Sequence, residues 1–166
     1  MIVIEPIDAM TNAVTIKPIT QADRASARVF IKALSKESIR QRLGGGSVNF
    51  SEAHLTMILK NSLGPDYVLG AFDSSNGLIG IARYARVAEC CAEFAVIVSD
   101  DCRNRGIATK LLIELESLAR AFGYRVMTAQ TLASNLPMRR LAKRMGYQSV
   151  VDSSDSMTLL LSKQLS

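Results

Sequence analysis

The run "CCAEFAVIVSDDCRNRGIATKLLIELESLARAFG", residues 90–123, constrains the fold of this chain more than any other stretch. Its opening, residues 90–99, is apolar apart from Glu93 and a closing serine, and reads as a β-strand. Two acids, two arginines and a glycine come next. An apolar face then recurs at Leu111, Leu112, Leu115, Leu118, Ala119 and Phe122, the period of a long amphipathic helix, with Gly123 as its stop. Strand, glycine turn and helix in direct succession place the chain among mixed α/β folds.

The rest of the chain agrees. "VTIKPIT", residues 14–20, alternates as a strand ended by Pro18, and Thr20 with Asp23 starts a helix running to about Leu34. Residues 35–43 offer a second helix with Ser35 as N-cap, stopped by the glycines at residues 44–46. Residues 51–64 offer a third, with Leu55, Ile58 and Leu59 on one face. Strands over residues 66–73 and 78–87 make a hairpin on the Asn76–Gly77 signal. Another strand covers residues 125–132. A short helix from Leu136 to Met145 turns Met138, Leu141, Ala142 and Met145 inward, and two strands around a Ser/Asp turn finish the chain. The expectation is one mixed α/β domain over residues 1–166, long enough to bury a core without disulfides or metals.

Composition narrows the function classes. No apolar run approaches the ~20 residues of a membrane helix, and the N-terminus lacks the basic region of a signal peptide. A cytoplasmic protein without membrane contact is expected. Three cysteines, Cys90, Cys91 and Cys102, form no disulfide framework, and the single histidine, His54, argues against a zinc site. No metal is therefore expected. The net charge of +5 permits an anionic ligand, while 5% aromatic residues and no tryptophan argue against nucleic acid.

Residues 102–108 sit between the buried strand and the helix. Gly106 lets the backbone adopt positive φ and approach a ligand. The first-turn N–H groups of the helix lack internal partners and lie at its positive end, which makes an anion pocket suited to a pyrophosphate. Arg103 and Arg105 add charge. The alternative is a plain helix start capped by Asp101, with both arginines solvated.

Strand "AEFAVIVSDD", then Arg-x-x-Gly-x-Ala as "RNRGIA", then the long helix, a strand, and Asn135 opening a helix that closes in "MGY" resemble the GNAT superfamily of acyl-CoA-dependent N-acetyltransferases. Arg103, Gly106 and Ala108 fill the fixed positions of that family's acyl-CoA signature. The resemblance is strongest over residues 78–147. It leans toward the acetyltransferase domain of bacterial protein lysine acetyltransferases, which have segments similar to "LSKESIRQRL" and "AEFAVIV".

The resemblance implies a mixed, mainly antiparallel sheet of six to seven strands flanked by helices, with a splayed central strand pair. It implies acetyl-CoA as co-substrate and a primary amine as acceptor, with a protein lysine expected. The alternatives are a small-molecule amine, or a non-catalytic acyl-CoA-binding sensor. Backbone N–H groups of Arg103, Asn104, Arg105, Gly106, Ile107, Ala108 and Thr109 would hold the CoA pyrophosphate. Val96, Ile97 and Val98 would pair with the pantetheine arm, with a backbone N–H near Ile97 on the thioester oxygen. Asn135 would hydrogen-bond the cofactor beside its ordinary N-cap role, and Met138 and Arg139 would flank it.

Acyl transfer needs a neutral amine, and a free lysine at pH 7 reaches that form about 4.6 kcal/mol uphill, so a base must take a proton. Glu93 is the one charged residue of its strand and by alternation shares a face with Ala95 and Ile97, leaving Phe94, Val96 and Val98 on the other. It matches the glutamate that the related lysine acetyltransferases use. The alternative is cross-hairpin pairing with Arg83 or Arg86. Many relatives carry a tyrosine where this chain has Ala142; Tyr147 reads as a packing residue, and whether Tyr147 or water protonates the leaving thiolate stays open. "RRLAKR", residues 139–144, reads as a solvated helix face, with contact from Arg139 or Arg140 to the 3′-phosphate as the alternative. Cys102 has no base beside it, and His54 reads as packing. Residues 35–43 and the glycines after them would border the acceptor as a mobile lid. Monomer and homodimer are both compatible.

Overall fold

The structure, a computed structural model, describes residues 14–42, 52–60 and 64–166. In chain order the elements are β1 (Thr15–Pro18), α1 (Arg24–Ala33), α2 (Lys36–Arg42), α3 (Glu52–Lys60), β2 (Tyr67–Phe72), β3 (Leu78–Ala88) and β4 (Cys91–Val98). Then follow α4 (Ile107–Phe122), β5 (Val126–Leu132), α5 (Leu136–Arg144), β6 (Gln148–Val151) and β7 (Thr158–Gln164). Short-range chemistry accounts for their ends. The Asp23 carboxylate accepts the Thr20 N–H at 2.9 Å just before α1. At the β2–β3 turn Asp73 Oδ1 accepts the N–H groups of Ser75 and Gly77, with Asn76 at φ 60°. Gly123, at φ 111°, closes α4.

The strands make one seven-stranded sheet in the order β1-β2-β3-β4-β5-β7-β6. Every neighbouring pair is antiparallel except β4 and β5. That parallel pair needs a crossover between its strands, and α4 supplies it. Leu111, Leu112, Leu115 and Ala119 of α4 pack on one face of the sheet with Phe94, Met127 and Leu161. Each buried leucine contributes about 1.5–3 kcal/mol relative to exposure. On the other face Phe30 of α1 and Leu55 and Leu59 of α3 cover Phe72 and Ile81, with Ile97 against them. The alternation of β4 is as the sequence implies, with Phe94, Val96 and Val98 toward α4 and Ile97 toward α1 and α3.

The α4 stripe differs from its periodicity at two places. Phe122 is half-exposed and rests against Tyr124, ring centroids 5.3 Å apart, in the last turn of the helix. Glu116, one turn after Leu112 on the same stripe, is 2% exposed.

What positions the site is the short register of the central pair. β4 and β5 share only Cys91–Val126, Ala92–Met127 and Glu93–Thr128. Beyond Glu93, β4 stays paired with β3, and beyond Thr128, β5 stays paired with β7, so the two strands separate between them.

Candidate active site

A cavity of about 490 Å³ occupies that opening. Val96, Ile97 and Val98 line it from β4, and Gln130 and Thr131 from β5. Cys102, Arg103, Asn104 and Gly106 to Thr109 bound one end; Asn135, Pro137, Met138, Arg140, Leu141 and Arg144 contribute from α5, and Ser38 and Gln41 from α2. Of the residues read from the sequence, Val96, Ile97, Val98, Arg103, Asn104, Gly106, Ile107, Ala108, Thr109, Asn135 and Met138 therefore line one cavity.

Gly106 is the N-cap of α4 at φ 74°, and no side chain caps the helix. Asp101 lies instead in the 3-10 turn Asp100–Cys102. The first helical bond runs from the Lys110 N–H to the Gly106 carbonyl, leaving the N–H groups of Ile107, Ala108 and Thr109 without intrahelical partners. A Cβ at Gly106 would meet nothing within 4 Å, so the positive φ, not crowding, selects glycine there. Cations gather around this end. Arg144 donates to Thr109 Oγ1 at 3.1 Å, and Arg140 shares the cavity wall with it. Arg139 lies off the wall, donating to the Ala133 carbonyl, and Arg105 is exposed and also off it. Arg140 and Arg144 are four residues apart and share a helix face, whereas Arg139 is turned about 100° away; that spacing was a usable signal in the sequence.

Arg103 is braced from below. Its guanidinium stands 3.1 Å from Asp100 Oδ1 and donates to the Ser38 hydroxyl. Asp100 also accepts the Ser35 N–H at 3.0 Å, the Ser35 hydroxyl at 3.1 Å and the Ser38 hydroxyl at 2.7 Å. Burial pushes the Asp100 carboxyl up, but these hydrogen bonds and the Arg103 cation outweigh it and hold it below the usual range. The start of α2 is thereby fastened to the turn that leads into α4.

Two polar residues mark the interior. Asn135 Oδ1 accepts the Met138 N–H at 3.2 Å, so the residue caps α5 while lining the cavity. Thr131 is 4% exposed, and its buried hydroxyl has no hydrogen-bond partner. A buried hydroxyl left unpaired costs about 1–3 kcal/mol. A helix start with unpaired N–H groups, strand edges left unpaired where β4 and β5 separate, and an orphaned hydroxyl have the donors and acceptors that a ligand with phosphates at one end and an amide-bearing arm would use.

Glu93 is exposed and stands at the last rung of the β4–β5 ladder, in register with Ala85 and Thr128. It lies outside the cavity wall, where the opening begins. No ion pair among the described residues involves Glu93. Arg83 faces Ala95 in the register, and the Arg86 guanidinium lies over the rings of Phe122 and Tyr124.

Ala142 is buried in the core. Tyr147 is buried too, its hydroxyl donating to Glu116 Oε1 at 2.9 Å and its ring 5.1 Å from Phe94. Burial, and then the Glu116 charge, push the Tyr147 phenol far above its ordinary range. Half-buried Lys163 stands 2.7 Å from Glu116 Oε2, and Arg120 reaches the same oxygen at 3.5 Å. Tyr147 is absent from the cavity wall, as a packing residue would be. Glu116, Gln130 and Thr131 are not singled out in the sequence, and Ser38 and Arg144 enter there only as members of residues 35–43 and 139–144. The glycines at residues 44–46 and the side chain of His54 lie outside the described residues.

The model of the acetyltransferase (GNAT) family matches residues 36–147. The chain belongs to that family of acetyl-CoA-dependent N-acetyltransferases. Acetyltransferase PA5475 of Pseudomonas aeruginosa is 29% identical over 147 residues, covering 86% of this chain and 79% of that protein. The GNAT domain of S. lividans PAT superposes with a TM-score of 0.84 at 24% identity, over 91% of this chain and 90% of that one. The structure of yncA from Salmonella typhimurium with its cofactor acetyl-CoA gives a TM-score of 0.74 at 22% identity, over 93% and 95% of the two chains. No helix among the described residues is long and apolar enough to cross a membrane, and no cluster of three His, Cys, Asp or Glu residues among them could hold a metal ion.

Proposed function

We propose that this acetyltransferase acts on a protein lysine side chain, with acetyl-CoA as acyl donor and Glu93 as general base. The observation that carries the reading is one juxtaposition: an uncapped helix N-terminus at one end of the β4–β5 opening and an exposed carboxylate where that opening begins. Bound acetyl-CoA supplies an acetyl group already activated as a thioester. The N–H groups of Ile107 to Thr109 hold its pyrophosphate, with Arg140 and Arg144 at the edge for the remaining phosphate. Val96 to Val98 pair with the pantetheine arm as with an added strand.

On this reading the reacting centre lies near Glu93. Ile97 is four residues along the strand, roughly 13 Å away at ~3.3 Å per residue. A base must reach the amine directly or through one water. The thioester oxygen is therefore best served by the N–H of Val96, closer to the apex than that of Ile97. By alternation from Ser99, whose N–H bonds Ile79 of β3, the Ile97 N–H faces β3 and the Val96 N–H faces the opening. Glu93 takes a proton from the ammonium, the amine nitrogen forms the new C–N bond, the C–S bond breaks, and the second proton shed by that nitrogen passes to the departing sulfur or to water. A thiolate of pKa ~8.5 departs without a protein acid, and the Tyr147 hydroxyl is committed to Glu116. The exposure of Glu93 suits an amine delivered at the tip of a long side chain.

Thiol release by the purified protein, measured against lysine peptides and small amines in parallel, tests the reading. Turnover on peptides with none on small amines is expected. Small-amine turnover alone would replace the acceptor, binding of acetyl-CoA without transfer would make the chain a sensor, and failure to bind acetyl-CoA would remove both readings.

A further inference from the structure

We infer that the Thr131 hydroxyl is a cofactor contact, hydrogen-bonding an amide of the pantetheine arm and setting the affinity for the acyl donor. The inference rests on the acyl-CoA reading above and adds a residue that the family signature does not contain. On β5, Met127 and Ala129 face the α4 side of the sheet as core residues, and Thr131 follows them at the same alternation. It lies beyond Thr128, the last β5 residue paired with β4, and shares the cavity with Val96 and Val98, which pack on the same side of the sheet.

The other hydroxyls of the cavity wall have partners within the protein. Ser38 donates to Asp100, and Thr109 accepts from Arg144. Thr131 alone among the described residues keeps a buried side-chain polar atom with no partner. A valine would fill the same volume without burying an unsatisfied group, so the folded protein by itself gains nothing from the hydroxyl. A hydroxyl both donates and accepts, as an amide does, and the arm proposed to lie along Val96 to Val98 carries two amides.

Calorimetric titration of wild type, Thr131→Val and Thr131→Ser tests this, using two ligands. One is acetyl-CoA; the other is adenosine 3′-phosphate 5′-diphosphate, which keeps the phosphates and lacks the arm. Thr131→Val should lose about three- to tenfold in acetyl-CoA affinity, keep its affinity for the nucleotide, and melt no lower than wild type without ligand. Thr131→Ser should retain acetyl-CoA affinity. Equal acetyl-CoA affinity in wild type and Thr131→Val overturns this inference alone. A lowered melting temperature with parallel loss of both ligands also overturns it, by assigning the hydroxyl to the fold. If wild type binds neither ligand, the acyl-CoA reading falls and this one with it.

Discussion

Glu93 owes its position to a backbone event, the end of pairing between β4 and β5, more than to its neighbours. No ion pair among the described residues involves it, and its side chain is exposed. Glu93→Gln should lower kcat by about 10²–10⁴-fold, the usual scale for a lost general base, with acetyl-CoA affinity unchanged by calorimetry. A fall in affinity matching the fall in kcat would make Glu93 a binding residue instead. Gly106 makes a different demand, since a side chain at φ 74° costs about 1–2 kcal/mol. Gly106→Ala should distort the start of α4 and, with the pyrophosphate held there as proposed, weaken acetyl-CoA binding, read as a smaller ligand-induced rise in melting temperature. Tyr147 makes a third. Tyr147→Phe removes a donor from buried Glu116, and should destabilise the fold by about 1–3 kcal/mol in urea titration while leaving kcat near wild type. A large loss of kcat would return Tyr147 to the chemistry.

At the scale of elements, α2 is a wall of the cavity held in place by its first turn. Ser35 and Ser38 meet Asp100, and Asp100 meets Arg103, so α2 and the turn that leads into α4 share one carboxylate. Because the folded protein holds Asp100 below its ordinary pKa, this docking contributes fully above the unfolded value near ~4. It is lost as the pH falls through the lower folded-state value. Hydrogen exchange over Lys36–Arg42, corrected for intrinsic rate, should accelerate in that acidic window and stay slow near neutrality. Asp100→Asn at neutral pH should loosen the same segment, and unchanged protection in that variant would dissociate α2 from the carboxylate. Elements also explain why α5 contributes as it does. Asn135 caps it, and the i,i+4 pair Arg140 and Arg144 turns with it toward the cavity.

At the scale of the whole molecule, a sheet held together on both sides of a local opening couples ligand to stability. Acetyl-CoA at a hundred times its Kd should stabilise the fold by about 2.7 kcal/mol. For a chain of this length that is a rise of roughly 5–10 °C in melting temperature, and the absence of any shift would remove the ligand. The sequence by itself determined the order of strands and helices, the hairpin at Asn76, the glycine turn into α4 and the cap at Asn135; that no side chain caps α4 came from the structure. Alternation, helical period, positive φ and capping are decided within a few residues, so they are written locally. Only the tertiary structure decided where the β4–β5 ladder ends, and with it that Gln130 and Thr131 join the cavity wall. Only it brought Ser38 to Asp100 and buried Glu116 against Lys163 and Tyr147. Those outcomes depend on register and packing between segments far apart in the chain, where the nearest partner of a side chain is set by the fold and not by its neighbours in sequence.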